Sequence, residues 1–191
     1  MTEAKRSDVR IFLTGVGCVG KTTIGAQLAQ ITDRIFFDLD VEIERFFSMS
    51  IDQLQHLYWM PHDFRKEAAK ALSHILGLPE SNNAVIALPA SGLMGGYWNV
   101  VKRTAGLKVV VLDTPENILQ RIVFYDANSK LTDKRLTSEE RPLYLKEIKK
   151  DIAYFKKSYA RADLQISIDG LDVEQAAQRL LDQLALMPTG R

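Results

Sequence analysis

The sequence predicts an α/β fold in three layers, a central parallel sheet of about five strands between helices, and three observations predict it. Apolar runs too short for ordinary helices alternate with longer helical patterns along the chain. The runs are continuously rich in Val, Ile, Phe and Leu, as strands covered on both faces must be. A glycine-rich loop joins the first run to the first helical stretch, the arrangement in which such sheets cradle a ligand.

The predicted strands cover residues 9–14, 34–38, 83–88, 107–112 and 164–168. Helices fill the intervals, and several boundaries are written in the chemistry. Ser50 with Gln53 and Asp172 with Gln175 stand at capping-box spacing, and Thr114 before Pro115 sets an N-cap ahead of a helix-opening proline. Gly77 is the expected stop of the helix that begins near Phe64. Residues 126–137, carrying Lys130, Lys134 and Arg135, form the longest stretch without apolar periodicity. Two readings stand for it, a mobile lid over a ligand and a solvated connector.

The 191 residues are 46% hydrophobic and 26% charged, which fits one globular domain over 1–191 with a short polar tail at 1–8. No repeat or biased tract marks an internal boundary. With 25 Lys and Arg against 24 Asp and Glu, the formal charge is +1, so no basic field argues for nucleic acid or a membrane surface as partner. Small-molecule chemistry is the better expectation, and no protein partner can be inferred. The single cysteine, Cys18, excludes an intramolecular disulfide framework and suits a reducing, cytoplasmic setting. The polar N-terminus begins neither a signal peptide nor a membrane span.

Gly15-Val16-Gly17-Cys18-Val19-Gly20-Lys21-Thr22 matches G-x-x-x-x-G-K-[ST], a match that arises by chance in roughly one chain in a hundred of this length. Its glycines let backbone N–H groups converge on phosphate oxygens, and the helix N-terminus adds partial positive charge. Lys21 would bridge the terminal phosphates, and Thr22 would offer a hydroxyl to Mg²⁺. Asp38-Leu39-Asp40 ends the second predicted strand, where carboxylates project into the ligand crevice of an open α/β sheet. Alternate strand residues share a face, so Asp38 would turn to Mg²⁺ and Asp40 to substrate hydroxyls. The other reading is that either acid caps the helix that follows.

Ile11-Phe12-Leu13-Thr14-Gly15, the phosphate loop, Thr23-Ile24-Gly25 and Phe37-Asp38-Leu39-Asp40 followed by Glu42-Ile43-Glu44 together resemble the beginning of a shikimate kinase. That resemblance implies a small-molecule kinase binding ATP and Mg²⁺ at Gly15, Gly17, Cys18, Val19, Gly20, Lys21, Thr22 and Thr23. It implies Asp38 and Thr22 at the metal, Asp40 on the acceptor hydroxyl and a candidate to take its proton, and Arg65 of Phe64-Arg65 on a substrate carboxylate. An arginine fork suits a carboxylate because two parallel N–H···O bonds fix its plane; Arg65 could equally be a solvated first-turn residue. Arg121 resembles the arginine laid against adenine, or is a surface charge. Arg135 resembles the lid arginine that stabilises the transferring phosphoryl group, with Arg141-Pro142-Leu143 the closer string at a poorer distance.

The chain also departs from that family. Leu88-Pro89-Ala90-Ser91-Gly92 stands where a Gly-Gly-Gly turn is usual, leaving Gly92 alone to bring an amide to substrate. Glycine is usual at Cys18, and Phe155 occupies the place of a second substrate arginine, four residues before Tyr159. Residues 85–91 followed by Tyr97 look more like a gluconate kinase, so a sugar-acid kinase is one alternative and a nucleotide-binding regulatory module without turnover is another. His56, His62 and His74 lack metal spacing. Leu57-Tyr58-Trp59-Met60 reads as core or subunit contact, and Lys146, Lys149, Lys150, Lys156 and Lys157 read as a solvated helix face.

Overall fold

The computed structural model describes residues 9–187, so the tail at 1–8 lies outside the described residues. Five parallel strands form the sheet: β1 (Ile11–Thr14), β2 (Ile35–Asp38), β3 (Ala84–Ala87), β4 (Leu107–Leu112) and a C-terminal strand, Leu164–Ser167. Their order is β2-β3-β1-β4 and then Leu164–Ser167 at the edge. All five coincide with predicted strands to within two residues at each end. Burial explains their composition. Phe12, Leu13, Val85, Ile86, Val109 and Val110 are wholly buried in the three central strands, each worth about 1.5–3 kcal/mol against exposure. The edges are less covered than the centre, so Ile35 at one edge and Gln165 and Ser167 at the other face solvent.

Eight α-helices surround the sheet among the described residues: α1 (Lys21–Ile31), α2 (Leu39–Phe47), α3 (Ile51–His56), α4 (Pro61–Leu76), α5 (Gly95–Val101), α6 (Pro115–Gln120), α7 (Arg141–Tyr159) and α8 (Val173–Leu186). Both predicted capping boxes form, and Thr114 accepts from the Asn117 amide. α4 stops at Gly77 as expected, but it begins a turn before Phe64, at Pro61, because proline suits the first helical position. α1 packs on α8, α4 on α2 and α5, and α6 on α7.

Three expectations are corrected. Asp40 is not on a strand face: β2 ends at Asp38, which caps α2 by accepting from the Asp40 amide at 3.0 Å, and Asp40 sits in the first helical turn. The stretch at 126–137 is not free of regular structure. β5 (Phe124–Tyr125) pairs antiparallel with β6 (Leu131–Thr132), and Asp126 closes the turn by accepting from the amides of Asn128 and Lys130. The C-terminal strand is therefore β7. Of the core and subunit-contact readings of residues 57–60, the core one fails for Leu57, Trp59 and Met60, with Trp59 100% exposed, while Tyr58 packs partly against the core. The five α7 lysines are exposed as predicted. Among the described residues, no helix is long and apolar enough to cross a membrane.

Candidate active site

β1 lies between β3 and β4, so the loop leaving its C-terminal end opens where neighbouring connections diverge, the usual ligand crevice of such sheets. Gly15 passes close under β4: a Cβ there would stand 2.5 Å from the Val111 carbonyl oxygen, so no other residue keeps the loop against the sheet. Gly20, at φ 106°, turns the chain into α1, whose N-terminus carries no side-chain cap. Cys18 adopts φ 58°, a left-handed conformation that a Cβ disfavours. Lys21 reaches back over the loop, donating from Nζ to the carbonyl oxygens of Gly15 and Val16 at 3.0 Å each. Enclosure lowers its pKa, opposed by its electrostatic interaction with Asp40, Cys18 and Asp38.

The two acids of the β2–α2 junction meet this loop differently. Thr22 donates from Oγ1 to Asp38 Oδ2 at 2.6 Å, so the loop hydroxyl and the strand-end carboxylate form one unit. Both are hard oxygen donors of the kind Mg²⁺ takes, alongside waters and substrate phosphates. Among the described residues no cluster of three or more His, Cys, Asp or Glu could hold a metal alone. Asp40 is exposed by surface area at the mouth of the crevice, yet protein surrounds it on most sides. That enclosure, reinforced by the Asp38 charge, pushes its carboxyl up to about 6; Lys21 opposes and Glu44 adds to the rise.

The remaining predicted residues separate. Gly17, Val19 and Thr23 line or brace the loop, Val19 buried and Thr23 donating to the Gly20 carbonyl at 3.0 Å. Arg65, on α4, is half-buried with its Nε shielded from solvent. Arg121 ends α6 rather than lying within it. It pairs with the fully buried carboxylate of Asp113, which also accepts from Thr114 N at 2.7 Å and Asn117 Nδ2 at 2.8 Å. Gly92 does not offer a free amide: its N–H donates to the Pro89 carbonyl at 2.8 Å, and a Cβ would stand 2.5 Å from Leu88 Cβ, so the glycine serves the turn's packing. Arg135 is exposed and has no hydrogen bond or ion pair within the described residues, while Arg141 is fixed as the first residue of α7.

Other contacts escape sequence reasoning because they join distant segments. Phe155 stacks on Tyr159 at 5.6 Å, and Tyr159 donates to the Ala90 carbonyl at 3.1 Å. Arg161 donates to the Leu93 carbonyl at 2.6 Å and lies over the Trp98 ring. The β5–β6 hairpin is tied to the α2–α3 segment. Ser50 donates to the Ala127 carbonyl at 2.6 Å, and Ser129 to Glu44, whose carboxylate also accepts from Ile51 N at 2.9 Å.

A parallel α/β sheet with a phosphate cradle after its first strand, a hydroxyl–carboxylate pair beside it and a separate acid at the crevice mouth defines a P-loop small-molecule kinase. The sequence profile of shikimate kinase matches residues 17–185, and the chain belongs to the shikimate kinase family. It is 30% identical to a shikimate kinase of Persephonella marina over 175 residues, 91% of this chain and 98% of that one. A shikimate kinase structure from Bacteroides thetaiotaomicron superposes with a TM-score of 0.75 at 23% identity, covering 93% of this chain and 99% of that one. A gluconokinase from Sinorhizobium meliloti 1021 shares the fold at a TM-score of 0.61 and 15% identity, covering 94% and 93%. The chain is thus an ATP-dependent kinase acting on a hydroxyl of a small metabolite.

Proposed function

We propose that the acceptor is a small polyhydroxylated carboxylic acid, phosphorylated on the hydroxyl that Asp40 holds. The reading rests on the division of labour across the β2–α2 junction: Asp38 is bonded to Thr22, while Asp40, two residues on, stands apart with its carboxyl raised to about 6. A carboxylate of that pKa is mostly ionised at neutral pH and basic enough to accept the hydroxyl proton as the phosphorus–oxygen bond forms. Thr22 and Asp38 would hold Mg²⁺, which neutralises phosphate charge when bound. Lys21 withdraws charge from the terminal phosphates, and Arg65 forks the acceptor carboxylate. Arg121, anchored on Asp113, presents its guanidinium plane to adenine. Arg135 is the cation that the lid at 126–137 carries to the transferred group, because it lies on the irregular segment after β6 whereas the backbone of Arg141 is part of α7. A single kinase domain over 1–191 in a cytoplasmic setting completes the proposal.

Shikimate is a poor acceptor in this reading. Phe155 is committed to Tyr159, the second arginine is missing, and the Pro89–Gly92 turn spends its glycine amide internally. Losing one charge-assisted partner of a buried carboxylate costs about 2–5 kcal/mol, tens-fold to thousands-fold in affinity. The same features support the gluconate-like alternative. ADP release measured with shikimate, gluconate and other hydroxylated acids tests the proposal. Turnover of at least one is expected, with kcat/KM for shikimate below about 10⁴ M⁻¹s⁻¹. Efficient shikimate turnover restores that acid as the substrate, and ATP binding without any transfer marks a regulatory module.

A further inference from the structure

Two buried polar atoms on α4 and α5 have no hydrogen-bond partner, Arg65 Nε and the Tyr97 hydroxyl. Tyr97 is 1% exposed and ranks among the largest fully buried side chains. Native proteins rarely bury a hydroxyl unpaired, and such a group usually has a functional reason. The residues that carry these two atoms are brought together by close packing of α5 on α4. A Cβ on Gly95 would stand 3.3 Å from Arg65 Nε, and one on Gly96 only 2.4 Å from the Arg65 carbonyl oxygen. These glycines let α5 meet α4 backbone to backbone, which delivers Tyr97, the next residue, to Arg65. Asp40 and Arg65 are the charged groups that act on the Tyr97 hydroxyl, and burial keeps it un-ionised.

We propose that Tyr97 is a specificity-determining residue of the acceptor pocket, its hydroxyl hydrogen-bonding an oxygen of the same polyhydroxylated acid that Asp40 and Arg65 hold. The inference rests on the phosphoryl-transfer reading above. It gives the acceptor a neutral partner in a chain that has Phe155 in place of a second arginine, and so favours a polyol acid bound through one guanidinium and one phenol.

The test is Tyr97→Phe, which keeps the ring and removes only the hydroxyl. With the best acceptor from the shikimate and gluconate panel, KM for the acceptor should rise about five- to tenfold, while KM for ATP stays within twofold. Without ligand, the variant should melt about 2–4 °C higher, because it no longer buries an unpaired hydroxyl. A merely structural hydroxyl predicts the reverse pair, a lower Tm and an unchanged acceptor KM, and that result overturns the proposal while leaving the kinase reading intact. Absence of turnover by the parent protein with every acid overturns the proposed acceptor class, and the acceptor role of Tyr97 falls with it.

Discussion

If Asp40 takes the acceptor proton, its ionisation must govern the acid limb of the rate profile. The carboxyl is pushed up from 3.8 to about 6. A group of that pKa is about 90% ionised at pH 7 and about 10% at pH 5, whereas an ordinary aspartate stays over 90% ionised at both. The expected kcat/KM, measured by coupled ADP release with nucleotide saturating, therefore falls about tenfold between pH 7 and pH 5. Glu44→Gln tests the cause: it removes one negative charge near Asp40 but leaves an amide oxygen to accept from Ile51 N and Ser129, so the limb should move to lower pH. Asp40→Asn should abolish the limb together with at least about 99% of the turnover, a general-base effect, while ATP affinity is kept. Stability follows with a definite sign. Between about pH 4 and 6 the folded protein keeps a proton that the unfolded chain has lost, so stability contributed by protonated Asp40 is lost as pH rises through that window. Asp40→Asn should accordingly raise Tm at pH 8 and leave it nearly unchanged at pH 4. A flat kcat/KM from pH 5 to 7.5 in the parent protein would refute the assignment.

Lys21→Ala should retain the fold by circular dichroism and lose phosphoryl transfer by more than about a hundredfold, since its ammonium is the cation over the loop. Unchanged turnover would remove it from the phosphate site. Cys18→Gly should stabilise the protein by about 0.5–1 kcal/mol in urea unfolding with nucleotide affinity preserved, because glycine adopts the left-handed φ of 58° without strain. Ser50→Ala removes both the α3 cap and the bond to Ala127, at about 1–2 kcal/mol of stability, and should increase protease cleavage between β5 and β6.

The five central strands and the phosphate loop were legible because each is decided locally. Continuous apolar runs have nowhere to go but a doubly covered sheet, and a loop closing on phosphates needs glycine and lysine at fixed separations whatever surrounds it. The capping boxes at Ser50 and Asp172 were readable for the same reason, since the bonds span only three residues. Short range also set the limit. Asp38 and Asp40 look alike in a strand-end pattern, and only the start of α2 at Leu39 separates them, one into a cap bonded to Thr22 and the other toward the crevice.

The acceptor side was decided by contacts between segments far apart in the chain. Gly92 reads as a remnant of a substrate-binding turn until its amide is seen on Pro89, and Arg121 reads as either an adenine-side arginine or a surface charge, with its buried partner Asp113 visible only in the fold. Tyr97 enters the sequence reading only through the gluconate-kinase-like string, with no role attached; its hydroxyl becomes informative only when packing of α5 on α4 leaves it buried and unpaired. The sequence by itself determined the sheet, the phosphate cradle and the class of chemistry, since these depend on periodicity and on residues within one loop. Tertiary structure decided which acid stands apart, which glycine serves packing and which hydroxyl is left buried without a partner, since burial and hydrogen-bond satisfaction are properties of the packed whole.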